Sequence, residues 1–478
     1  MSTAPAATAA ADRLRSVECM VIGGGPAGLA AARTAASHGV RVTLVDENVE
    51  LGGQYYRQMP SSWRAPGPAR LGRESAEGRR LIDEVRALGV ELRLDTVAWG
   101  IFDGHTVALA TRNEAERVYA QTLVLAPGAY DRPVPFPGWT LPGVVTAGGA
   151  QNLMKAYRVL PGRRVLIAGS GPLLLVVAHY LIGGGAQVVA LCEASPMQQL
   201  WRYGLRMLPH LNFLQQGYRY WQELRAAGVP VLSGHIIRRA LGTDEVTGAV
   251  VSQCDQDWRP SPGTERSFDV DAVVVGYGFV SSLELSRLAG GEHTYAGEQD
   301  AWVPMRTRDM ESTVPGVFVV GDGAGVAGSA VALEEGRLAG LTVAHRLGRI
   351  TGRAFERERA RARGRLLHLA GFRRVMDSLY RVGPGLYTLA DGETILCRCE
   401  ETTVREALAA VSDGATHVNE VKAWTRTGMG RCQGRMCGPA LAHLIAEATR
   451  RPVAEAGVFT PRPPAKPVSL GALTREKS

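Results

Sequence analysis

The chain has 478 residues, 45% hydrophobic and 21% charged, with 57 Gly, seven Cys and a formal net charge of +8. This length supplies two or three globular domains with their own cores, and no apolar run reaches the roughly 18 residues of a membrane span. The positive balance is local: between Arg349 and Arg374 nine Arg stand against two Glu, an excess of +7, with no RNA- or DNA-reading motif beside it, so nucleic acid is not an expected partner.

Residues 1–15 lack the apolar segment of a secretion signal and read as a disordered tail. Glu18 to Ala36, ECMVIGGGPAGLAAARTAA, then gives a short apolar strand, a Gly-rich turn and a small-residue helix. In Gly23-x-Gly25-x-x-Gly28 the glycines let the backbone turn tightly, approach a pyrophosphate and pack the helix on the sheet, with Pro26 and Ala27 opening that helix. RVTLVDE follows as a second strand and ends at Asp46, 18 residues after Gly28, where a carboxylate accepts ribose hydroxyls; Glu47 is its neighbour. Strand, turn, helix, strand and acid in that order predict a dinucleotide site. Two later segments, LVLAPGAYDRP around Gly128 and VPGVFVVGDGAG with Gly321 and Asp322, are apolar strands ending in small-residue turns. Together they resemble the additional FAD contacts of glutathione-reductase-like flavoproteins, which implies FAD as the ligand. LGGQYYRQ, with Gly52, Gly53 and Gln54, falls where those reductases carry a redox-active disulfide; it holds no cysteine, which excludes disulfide reduction.

RRVLIAGSGPLLLVVAHYLIGGGAQVVALCE repeats the first pattern 146 residues later. Gly169 and Gly171 are in place and Glu193 ends the next strand, but the third glycine is Leu174, expected to hold the helix off the strand or crowd a pyrophosphate. The occupants left open are NAD(P)H, an adenine nucleotide alone, or nothing. VVVGYGFVSS, from Val273, reads as the return strand into the first fold. FERERARARGR is helical, either a solvated face or a docking surface for an acidic partner.

Four cysteines close the pattern: Cys397-x-Cys399 and, after 32 residues, Cys432-x4-Cys437. Four thiolates in turn-rich segments predict an iron–sulfur cluster or a structural zinc, and the one-residue C-x-C gap counts against zinc. Thr403 with Glu406 forms a capping box after the first pair, and Gly438-Pro439 opens a helix after the second. Arg398, Arg431 and Arg435 interleave with the cysteines, where their charge offsets that of a four-thiolate cluster. The spacing resembles the bacterioferritin-associated-ferredoxin type of [2Fe–2S] domain. Cys19, Cys192 and Cys254 read as buried or free thiols in a reducing cytoplasm. No acid/base pair or carboxylate clamp is defensible by spacing. His179, His210, His235 and His368 are scattered, so no catalytic residue is assigned.

The expected architecture is α/β, with two Rossmann-like domains of glutathione-reductase type and a small helical four-cysteine domain. Its expected parts are an FAD-binding domain over 16–142 and 271–348 and a degenerate nucleotide domain over 143–270. An Arg-rich helical linker over 349–393, the cysteine domain over 394–450 and a loose tail over 451–478 complete it. From about residue 16 to 450 this order resembles the alpha-type subunit of the heteromeric opine oxidases, proline and hydroxyproline dehydrogenases and hydrogen cyanide synthases. The resemblance implies an oxidoreductase acting on C–N bonds, with a beta-type flavoprotein subunit that oxidises an amino or imino acid. This chain then relays electrons through FAD and a [2Fe–2S] cluster to an external acceptor, with a small ferredoxin-like chain in some complexes. The implied location is cytoplasmic, or peripheral to a membrane. The alternative is a self-contained NAD(P)H-dependent reductase.

Overall fold

The computed structural model describes residues 14–64, 73–196 and 211–477. The first fold is built on an eight-stranded sheet. Its parallel part runs Glu91–Arg93, Val42–Val45, Arg15–Ile22, Ala115–Leu125, with Val317–Val319 parallel beside the last; an antiparallel meander, Val97–Phe102 and Thr106–Ala110, extends it. The helix Pro26–Ser37 packs on the long helix Ser329–Arg346. Small residues permit this: a Cβ on Gly336 would lie 2.0 Å from the Ala27 carbonyl, and one on Gly340 2.4 Å from that of Ala31.

The second fold is a five-stranded parallel sheet in the order Val231–Ser233, Gln187–Glu193, Arg164–Gly169, Ala272–Gly276, Val144–Thr146. The strand at Val273 therefore belongs here, and the return into the first sheet is made by Val317–Val319. Both strands are apolar and buried throughout, so their composition does not say which sheet they join.

Two further expectations are corrected. The Arg-rich stretch is no linker: its helix, Gly352–Leu379, buries Phe355 and Ala362 in the core of the first fold. Arg359 and Arg363 reach Asp309 and Arg365 reaches Glu334, so only part of the local positive excess faces solvent unpaired. The stretch expected as a loose tail is ordered over 451–477, since Val453–Ala456 and Leu470–Leu473 are helical and Glu476–Lys477 pairs with the strand Ala115–Leu125. Likewise Arg15, expected in the N-terminal tail, already pairs in the first sheet.

The cysteine domain shares one core with the second fold. Leu166, Ala190 and Ile236 pack continuously with Leu396, Val418, Leu441 and Phe459, whereas the helices of the first fold have a separate core. No helix among the described residues is long and apolar enough to cross a membrane.

Candidate cofactor sites

The Gly23 turn is set by backbone bonds. Gly23 N–H donates to Val45 O and Ala126 N–H to Ile22 O, both at 2.8 Å. A Cβ on Gly23 would meet Ala126 O at 2.2 Å, and one on Gly28 would meet Gly23 O at 1.7 Å, so both positions admit only glycine. Asp46 is buried at the end of the second strand. It accepts from Gly24 N–H at 2.6 Å and from Asn48 N–H at 2.7 Å, which holds the turn and the acid together. Glu47 is exposed and pairs with Lys466 from the C-terminal stretch.

The other expected flavin residues gather at the same end of the parallel strands, where ligands bind in open α/β sheets. Gly52 N–H donates to Gly24 O at 2.8 Å, and Gly53 lies so close that its Cβ would be 2.7 Å from Gly25 Cα; Gln54 beside it is exposed. Gly321 sits against Ala27, with its N–H on Glu335 at 2.8 Å, and Glu335 is clamped by both Arg306 guanidinium nitrogens. Gly323 abuts Pro127 and Gly128, joining the two strand-end turns. Burial pushes the Asp322 carboxyl up, against the N–H groups of Ala327 and Gly328, which donate to its Oδ1. These turns cluster around the N-terminus of the helix Pro26–Ser37, with Pro at its first turn and glycines packed too tightly against neighbouring backbone to carry side chains. That arrangement suits a dinucleotide pyrophosphate.

The second fold repeats the acid device. Glu193 accepts from Gly171 N–H at 3.0 Å and Ser195 N–H at 2.9 Å, while Ser170 and Ser195 hydroxyls meet at 2.9 Å. Burial raises the Glu193 carboxyl to about 7 despite those donors. Leu174 does not crowd this turn. It is buried in the apolar core below it, against Gly276 of the adjacent strand, so the room comes from that strand and not from the helix.

The four cysteines fall into two neighbouring pairs, Cys397, at the end of the strand Ile395–Cys397, beside Cys437, and Cys399 beside Cys432, each close enough for one thiol to perturb the other. The Cys437 thiol, with help from backbone N–H groups such as Gly428 at 3.5 Å, lowers the Cys397 thiol to about 5. Cys437 is the N-cap of the helix Gly438–Thr449, and the Thr403–Glu406 capping box is present. Gly430 lets its loop reach Cys399, since a Cβ there would be 2.1 Å from the Cys399 Cβ. Among the described residues no group of three or more His, Cys, Asp or Glu is assembled as a metal site. Two of the interleaved arginines are already committed: Arg398 lies over the Trp139 ring, and Arg435 pairs with Glu284 at 2.8 Å. Arg431 is exposed.

Beside the Gln433–Arg435 segment, next to Cys432 in the chain, lies a pocket lined by Tyr130, Ser281, Trp302, Gln433, His443 and Phe459. Ser281 Oγ donates to Asp322 O at 2.6 Å. Its edge is a buried network that no sequence pattern announced. Asp300 takes Arg132 at 2.9 Å, Tyr387 at 2.8 Å, Tyr295 at 2.5 Å and His443 at 2.6 Å. Against the upward push of burial, His443 and Arg132 hold its carboxyl at about 2. The members come from positions 132 to 443, so only the fold brings them together; the one local signal is Asp300 at φ +49 in a hairpin tip. Cys19 and Cys192 are buried and Cys254 half-buried, all free and raised to about 12 by burial. His179 pairs with Glu223, His235 is buried on Ser233 O, and His210 lies outside the described residues.

The chain belongs to the pyridine nucleotide-disulphide oxidoreductase family, whose model matches residues 17–348, with a sarcosine oxidase A3 domain over 392–476. Within that class it is similar along its whole length to an opine oxidase subunit of Rhizobium meliloti (strain 1021), 35% identical over 465 residues, 95% of this chain and 98% of that one. Hydrogen cyanide synthase subunit HcnB of Pseudomonas protegens is 32% identical over 475 residues, 96% and 97% of the two chains. The fold also matches L-proline dehydrogenase from P. horikoshii, with TM-score 0.69 at 20% identity over 96% of this chain and 79% of that one.

Proposed function

We propose that the chain is the FAD- and [2Fe–2S]-bearing electron-transfer subunit of a heteromeric dehydrogenase that oxidises a C–N bond of an opine-, proline- or hydroxyproline-type substrate. Gly23, Gly25, Pro26, Ala27, Gly28, Asp46, Glu47, Gly53, Gln54, Gly128, Gly321 and Asp322 would hold FAD. Cys397, Cys399, Cys432 and Cys437 would hold the cluster, a soft-thiolate set of the kind such centres take. When bound, the two groups supply the change from two-electron to one-electron transfer. The chain's own residues bind them, exclude water from the crevice and fix their spacing.

The observation that carries the reading is the proximity of Cys397 to Cys437 and of Cys399 to Cys432, in a domain whose Gln433–Arg435 segment lines a pocket shared with Ser281, the residue that bonds the Asp322 carbonyl. Full-length similarity to proteins named as subunits supports a partner subunit; in this reading it is a beta-type flavoprotein with the substrate site, joined in some complexes by a small ferredoxin-like chain, and electrons leave to an external acceptor. A second reading, an NAD(P)H-dependent reductase, draws on Glu193, which repeats the Asp46 geometry. In the first reading the second fold, at Gly169, Gly171 and Glu193, holds an adenine nucleotide or nothing.

Anaerobic visible spectroscopy separates the two. The flavin of the isolated chain should stay oxidised with NADH, NADPH, amino acids, imino acids and opines, and bleach once substrate is added with the partner subunit. Immediate bleaching by NADH would establish the second reading. Cys437→Ser should lose iron and its visible absorbance while keeping FAD, because Cys437 packs in the core of the second fold and not of the first.

A further inference from the structure

Lys155 is 9% exposed and lies in a π-helical turn, Leu153–Tyr157, between the two folds. Such turns recur at functional sites. Its Nζ donates to Tyr55 O at 3.0 Å and stands over two aromatic rings, Tyr55 at 5.5 Å and Tyr180 at 5.3 Å. No carboxylate lies within ion-pair distance of it among the described residues; Glu74 acts only from further away, opposing the downward push of burial on the lysine. A buried ammonium with one carbonyl and two ring faces is poorly compensated, since ring faces return about 0.5–2 kcal/mol each and desolvation costs several. Among the described residues no full counter-charge stands beside it.

Tyr55 is two residues beyond Gly53, which packs on Gly25, and Ser329, the first residue of the helix that follows the Asp322 turn, is near enough to ease the upward push of burial on its hydroxyl. Lys155 thus backs onto the residue that both flavin turns bracket. We propose that Lys155 is the fixed cation that sets the redox potential of the flavin in that crevice. This rests on the FAD reading above. Reduction by two electrons and one proton adds one negative charge to the flavin ring system, and a cation held in a low-dielectric wall favours that state. Lys155 is then a positioning residue: it acts through the field it imposes and not by contact.

The test is the flavin potential of the purified FAD-loaded chain, measured by equilibration with reference dyes, for the native protein, Lys155→Gln, Lys155→Met and Lys155→Arg. Both neutral variants should reduce less readily, with at least a tenfold fall in the equilibrium constant, about 30 mV for a two-electron couple. Their affinity for sulfite, which adds to the oxidised ring as an anion, should fall in parallel, and Lys155→Arg should restore both. An unchanged potential and sulfite affinity in either neutral variant would overturn the proposal. So would neutral variants that lose FAD while Lys155→Arg keeps it, which would make the residue a structural peg. A native chain that purifies without flavin would instead overturn the FAD reading itself.

Discussion

The two nucleotide folds share a backbone plan and differ in what fills it. In each, a parallel strand runs into a glycine turn, and the acid ending the next strand accepts a turn N–H and the N–H two residues on: Asp46 from Gly24 and Asn48, Glu193 from Gly171 and Ser195. They part at the third glycine. Gly28 sits on its own turn, with no space for one more carbon, and its helix is thin enough for Gly336 and Gly340 to close on it. Leu174 sits on a bulky helix, LLLVVAHYLIG, that fills an apolar core and takes its room from Gly276. A glycine in this motif is thus required by whichever backbone approaches it, and a neighbouring strand can supply the space instead.

Exchanging the residues tests this. Gly28→Leu has the larger expected effect: a side chain 1.7 Å from a carbonyl forces the first helix off its sheet and off the helix Ser329–Arg346. The expected outcome is loss of more than about 4 kcal/mol and of bound flavin, read by urea unfolding and by the visible spectrum. A Gly28→Leu chain that stays yellow and stable would refute the account of the first turn. Leu174→Ala has a smaller effect of the ordinary cavity kind, about 2–5 kcal/mol in urea unfolding, because the side chain is 1% exposed. It should bring no flavin bleaching by NADH, since Leu174 points away from the turn. Bleaching on that change would restore the view of Leu174 as a blocker.

How much of this was legible in the sequence follows the range of the signal. The first turn, its acid and the Thr403–Glu406 cap are local, and each stands where its spacing placed it. The strand at Val273 was misplaced because an all-apolar strand carries no mark of its sheet. The order of residues 451–477 is not legible locally because it comes from distant partners: Phe459 seats under Gly428 and Gly434, and Lys466 pairs with Glu47. Asp300, Arg132, Tyr387 and His443 were invisible for the same reason, as no two are neighbours in the chain.

The finest difference between the folds is electrostatic. Burial raises the Glu193 carboxyl from 4.5 to about 7, so the unfolded chain loses this proton first as pH rises. Native stability should therefore fall between about pH 4.5 and 7, by roughly 3 kcal/mol in total, and then level off. Glu193→Gln removes the titration but leaves one of the Gly171 and Ser195 N–H groups without an acceptor, at about 1–3 kcal/mol. Near neutral pH the two effects nearly cancel, whereas at pH 5 the variant should be the less stable protein. Urea midpoints of both proteins across pH 5 to 8 check this: the difference should shrink as pH rises. A constant difference would mean that Glu193 is already ionised in the native state, held by its two donors as a charged acid despite its burial.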